Sequence, residues 1–163
     1  MVFNEFEILE NTFNLMPELD VDGVKFKHQF EFGSHEDLLK FLELKRRGDA
    51  KTYPLIWLET PYKVERDTTS NGTAPTNLII ANLSNQDMLN RQRMETSFKK
   101  VLMPVLDDML KVLKYGKATS YDEYDTTYFF NYAPSEKEGS DIWDVIKLEL
   151  VIKYKKNCLI KKP

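Results

Sequence analysis

The sequence predicts an α+β domain with a mainly antiparallel sheet covered on one face by helices and a long protruding hairpin. Three observations carry this. Residues 24–32 and 143–155 alternate apolar and polar side chains with the period of two of a half-buried strand. Residues 4–16 and 88–115 place apolar side chains three and four apart, as an amphipathic helix does. Asn71-Gly72, a strong turn signal, separates two apolar runs and joins them as a hairpin.

The elements follow in chain order. Phe6, Leu9, Phe13 and Met16 form the stripe of a first helix, which Pro17 helps to end, within an acidic stretch over 1–22. In "VKFKHQFEF" Val24, Phe26, His28, Phe30 and Phe32 share one side of a predicted strand, broken by Gly33. Ser34 with Asp37 three residues on resembles a capping box for a helix carrying Leu38, Leu39, Phe41 and Leu42. The continuous run Leu55–Leu58 suits a strand covered on both faces, with Pro54 at its start and Pro61 at an edge or bulge because proline cannot donate to a sheet ladder. Residues 60–77 read as an exposed hairpin arm with a polar tip, returning through "NLIIANL". The 88–115 helix buries Phe98, Val101, Leu102, Val105, Leu106, Met109, Leu110 and Leu113, and Pro104 predicts a kink. "TTYFFNY" and the 143–155 run supply two further strands, the last directing Ile146, Leu148, Leu150 and Ile152 at the helices.

Composition restricts the class of protein. At 163 residues, 42% apolar and 30% charged, the chain suits one globular domain with a real core, over 1–163. No run reaches the ~18 apolar residues of a membrane span, and the acidic first twenty residues do not read as a signal peptide, so a cytoplasmic product is expected. The lone Cys158 excludes an internal disulfide and a multi-cysteine metal site. The net charge of -3 conceals an asymmetry: Glu5, Glu7, Glu10, Glu18, Asp20 and Asp22 stand without a base over 1–22, while Lys147, Lys153, Lys155, Lys156, Lys161 and Lys162 face only Glu149 at the other end. These are either solvated faces or complementary patches through which the acidic end of one subunit meets the basic end of the next.

Chemistry-bearing motifs are absent: there is no Gly-rich phosphate loop, paired-His zinc motif or Ser elbow. His28 reads as partly buried in a strand face and His35 as a surface residue. Asp107 and Asp108 are helix neighbours that point apart, and Asp122, Glu123 and Asp125 read as a turn or exposed edge. Lys45, Arg46, Arg47 and Lys51, and Arg91 with Arg93, are basic clusters without interleaved stacking aromatics, a weak nucleic-acid signal. No catalytic residue, metal ligand or cofactor is assigned, and the expectation is a protein that is not an enzyme.

The order "VKFKHQFEFGSHEDLL", "YPLIWLETP", a polar hairpin returning through "NLIIANL", a long helix, "SDIWDVIKLELVI" and a late lone cysteine resembles the small neck and tail-completion proteins of tailed bacteriophages. It is most similar to tail-terminator-like members among phages of Bacteroidetes-type hosts, over about residues 24 to 160. The resemblance implies a non-enzymatic virion protein, assembled in the host cytoplasm. It would form a ring, commonly of six subunits, between portal-connector and tail. Its partners would be other copies of itself and the neighbouring connector and tail proteins, with no membrane, and DNA could pass through the lumen without specific binding. Tyr62, Lys63, Val64, Glu65, Arg66, Asn71 and Gly72 would then be an arm that pairs with a neighbour, and Lys153, Lys155 and Lys156 a basic contact surface. A host-directed regulatory or chaperone-like binding protein would show the same composition and stays open as the alternative.

Overall fold

A computed structural model describes residues 4–45, 52–69 and 71–155. The mixed α+β class is as expected. A mostly antiparallel seven-stranded sheet has the order β3-β4-β6-β9, with β7 and β8 both paired to the far edge of β9, and β5 to the start of β6. The strands are β3 (Gln29–Gly33), β4 (Leu55–Glu59), β5 (Glu65–Arg66), β6 (Gly72–Ser84), β7 (Thr119–Ser120), β8 (Tyr124–Tyr132) and β9 (Ile142–Tyr154); β1 (Leu19–Val21) and β2 (Val24–Phe26) form a separate hairpin. Only β3 and β4 run parallel.

Helix α1 (Glu5–Phe13) starts at a capping box in which Asn4 accepts from the Glu7 N–H and Glu7 reaches back. Helix α2 (His35–Leu44) starts at the anticipated Ser34–Asp37 box. Each cap satisfies N–H groups that the first turn leaves without partners, worth about 1 kcal/mol. The Ser34 N–H and hydroxyl also hold the Asp37 carboxyl below its usual range.

The long helix departs from expectation in an instructive way. It begins as α3 (Asn90–Arg93), widens to a π-helix over Met94–Leu102, and resumes as α4 (Met103–Tyr115). The Met103 N–H bonds the Phe98 carbonyl five residues back, and Pro104 falls in the first turn of the new segment, where its missing N–H is tolerated. The proline therefore marks a change of hydrogen-bond register.

The main core lies between the sheet and α1 plus the long helix: Leu9, Phe13, Phe98, Leu102, Met109 and Leu113 meet Leu78, Ile80, Ile146, Leu148 and Ile152, all without exposure. Burial of each such side chain contributes roughly 1.5–3 kcal/mol. The expected facing of Ile146, Leu148, Leu150 and Ile152 is observed. A second, smaller core on the opposite face packs Leu38 of α2 with Tyr53, Leu55, Trp57, Ala81, Trp143 and Val145. Helices thus cover most of one face and one end of the other, which corrects the expected one-sided cover. β4 is buried on both faces, as its unbroken apolar run requires.

Four other expectations need correction. The 24–32 strand is two strands: Asp22 and Gly23, both at positive φ, join β1 to β2 in a local hairpin, while β3 pairs with β4 instead, and Val24 is 57% and Phe32 46% exposed. The first helix ends at Phe13, short of residue 16, although Met16 stays buried. β6 begins at Gly72, so the polar tip is shorter than the predicted loop, and Asp67 organises it by accepting from the Thr69 N–H and hydroxyl and the Asn71 N–H. The 60–77 arm does not leave the domain. Tyr62 and Val64 pack against the main core and β5 lies along β6, since alternating apolar residues can bury one face only by lying down on the sheet.

Truncating Leu148 to Ala removes buried methyl groups from the middle of the main core and should cost about 2–5 kcal/mol in urea unfolding, whereas Lys153→Glu, on the exposed face, should cost little. His28 is half-buried, and burial, aided by Lys27, lowers its pKa below 6.5. The unfolded state therefore binds more protons, and this contribution to stability is lost as pH falls below that value. The loss of stability on going from neutral to mildly acid pH should be shallower in His28→Gln.

Candidate functional site

The residues expected at an interface gather at one end of the sheet. Gly72 pairs with Arg66 on one side and Tyr154 on the other, and Thr73 likewise joins Glu65 to Lys153. Within that cluster the side chains divide. Lys63 and Glu65 are exposed and paired at 3.3 Å. Arg66 is bound to Glu5, one of the acids of the N-terminal stretch. Lys153 bonds Asp122 at 2.6 Å, so both ends of the charge asymmetry find partners within the chain. Asn71 is exposed, and Lys155 is anchored through its backbone N–H to the Ala118 carbonyl. Gly72 is buried, and a Cβ there would meet Val64 Cγ1 at 2.7 Å. Tyr62 turns inward: its hydroxyl lies 2.7 Å from both the Thr76 and Tyr154 hydroxyls, and burial raises the pKa of both tyrosines. Lys156, Cys158, Arg46, Arg47 and Lys51 lie outside the described residues.

The edge strand β8 was read only as a strand, and its position is the larger surface feature. One side pairs with β9 and no described strand pairs with the other. Tyr124, Tyr128, Phe129 and Tyr132 are each between 36% and 48% exposed. Four exposed aromatics along an unpaired strand edge form a surface that a neighbouring chain can cover. Asp122, Glu123 and Asp125 at its start line, with Glu149, a shallow hollow of about 680 Å³.

At the opposite end of the sheet lies a buried polar cluster that sequence reading missed. Arg93, read with Arg91 as a short basic cluster and a weak nucleic-acid signal, is 2% exposed, and Asp144 is fully buried. Arg93 Nε lies 3.5 Å from Asp144 Oδ1. The guanidinium also donates to Ser84 Oγ at 3.3 Å, Asn90 Oδ1 at 3.2 Å and the Asn85 carbonyl at 2.5 Å. The Asn131 N–H, from a β8 residue at positive φ, donates to Asp144 Oδ1 at 3.3 Å, and Asn82 donates to Ser97 Oγ at 2.9 Å. A signal was available: the inward alternation of β9 extended back from Ile146 lands on Asp144, and the helix stripe extended back from Ser97 lands on Arg93. Charges on two core-facing positions imply a pair.

His28 is half-buried and His35 exposed, as read. Burial raises the Asp108 pKa, while Asp107 is exposed. Among the described residues no group of three or more His, Cys, Asp or Glu could hold a metal, and no helix is long and apolar enough to cross a membrane. No protein-family model matches the chain, and no curated protein is significantly similar to it.

Removing one member of the buried pair leaves an uncompensated charge, so Arg93→Leu should cost about 3–5 kcal/mol in urea unfolding. Adding Asp144→Leu to it should restore part of that loss. A double-mutant cycle with additive effects would show that the two charges do not depend on each other.

Proposed function

We propose that this chain is a non-enzymatic structural subunit that closes into a ring, in the manner of the neck and tail-terminator proteins of tailed bacteriophages that its sequence resembles. The observation that carries the reading is the unpaired β8 edge with Tyr124, Tyr128, Phe129 and Tyr132 exposed along it. In a monomer such an edge is an aggregation hazard; in a closed ring it is covered by the next subunit. The cluster of Lys63, Glu65, Arg66, Lys153 and Lys155 supplies polar, salt-sensitive contacts at the far end of the sheet, where complementary charge fixes orientation. No constellation of nucleophile, base and oxyanion donor emerges among the described residues, which favours assembly over catalysis.

Size-exclusion chromatography with light scattering, followed by electron microscopy, tests this. The chain should form a closed ring of defined subunit number. Phe129→Lys should shift the mass to monomer while leaving the circular dichroism unchanged. A chain that stays monomeric at high concentration and low salt would rule out self-assembly through this edge.

A further inference from the structure

Half of the second sheet face carries no helix. Pro75 and Asn77 of β6, Glu149 and Val151 of β9 and Asp125 of β8 are all exposed there, on adjacent strands. Pro75 and Val151 are cross-strand partners and form its apolar centre. Around them the hollow of about 680 Å³ gathers Asp122, Glu123, Asp125 and Glu149.

The charge on this face is unbalanced. Asp125 stands directly opposite Glu149 in the ladder, and like charges so placed repel. Lys147 lies 3.6 Å from Glu149 but is shared with Glu59 at 3.8 Å, and Lys153 is held by Asp122 at 2.6 Å. Glu123 and Asp125 form no ion pair among the described residues. These carboxylates do not converge as a metal site would, since no group among the described residues could hold one. The compensating charge is therefore a distributed one.

The chain carries such a charge next to this face. Past Lys155 it continues, outside the described residues, as Lys156, Asn157, Cys158, Leu159, Ile160, Lys161, Lys162 and Pro163, with no acid among them. Leu159 and Ile160 between lysines match an apolar centre between carboxylates. β9 ends at Tyr154, only about 10 Å of strand beyond Val151. A turn at Asn157, a residue type that favours turns, returns Leu159 and Ile160 to the level of Val151 and Lys161 and Lys162 to that of Glu149. A tethered segment avoids the association cost that a separate chain pays, so modest contacts suffice.

We propose that residues 156–162 fold back over the open half of the second face of their own chain, with Leu159 and Ile160 on Pro75 and Val151 and Lys161 and Lys162 against Asp125 and Glu149. The contact lies within one chain, so the inference stands independently of ring assembly.

The lone cysteine makes this testable in the full chain. A nitroxide attached to Cys158 should broaden the backbone amide signals of Asn77, Asp125 and Glu149 at low salt. The broadening should fall at least ~2-fold at about 1 M salt, where the screening length shortens to ~3 Å. The same fall is expected when Lys161→Glu and Lys162→Glu are combined, and adding Asp125→Lys and Glu149→Lys to that variant should restore the signal loss, which tethering alone would not do. Broadening that ignores both salt and lysine reversal, or that stays confined to the surroundings of Tyr154, overturns the proposal. An equimolar mixture of isotope-labelled Cys158→Ser chains with unlabelled nitroxide-bearing chains separates the source: the labelled amides should stay sharp, and equal broadening there would assign the segment to a second copy and overturn docking within one chain.

Discussion

The ladder between β6 and β9 is the constraint on which the rest of the molecule depends. It runs unbroken from Gly72 opposite Tyr154 to Ser84 opposite Ile142, thirteen residues on each strand. In an antiparallel pair with one face buried, a slip of one residue would turn Leu78, Ile80, Ile146, Leu148, Leu150 and Ile152 out of the core together. Their burial against α1 and the long helix therefore sets the register, and the register places every other strand. β4 and β5 pair with β6, and β7 and β8 pair with β9, so both flanks of the sheet inherit their position from one ladder.

Polar groups clamp that ladder near both ends. Toward one end the Tyr62, Thr76 and Tyr154 hydroxyls are held together by burial and mutual hydrogen bonding, which pins the returning hairpin onto the sheet. At the other, Arg93 and Asp144 join the start of the long helix, the end of β6, and β8 through Asn131. A buried ion pair contributes little net stability compared with apolar residues of the same volume, but misplacing either member is expensive. Such a pair specifies one arrangement of helix on sheet. It also fixes the helix at the segment where π-register bonding replaces α.

The same architecture divides the surface into regions of different use. The helix-covered face is spent on the core, and α2 closes one end of the opposite face. What stays exposed is the β8 edge, the charged end near Lys153, and the open half of the second face around Glu149 and Val151. The β8 edge with its partly exposed aromatics lies beside the acidic hollow at the start of that strand.

Local sequence pattern determined the fold class, the two-sided burial of Leu55–Leu58, the Ser34–Asp37 cap and the inward face of β9, because each depends on local spacing and on which side chains avoid water. Other features answered to partners distant in sequence. Tyr62 and Val64 read as an exposed arm until β6 and β9 provided a surface to bury them. Val24 to Phe32 alternated like one strand, but β2 pairs with β1 and β3 with β4, which divides it. Pro104 announced a break in the helix, but nothing in the local spacing announced the π-register bonding over Met94–Leu102 that precedes it. Arg93 and Asp144, 51 positions apart, became a buried pair only when the β6–β9 register set the start of the long helix beside β9. A charge is read as solvated from sequence because burial of a lone charge is prohibitive, and only the tertiary structure supplies the opposite charge that permits it.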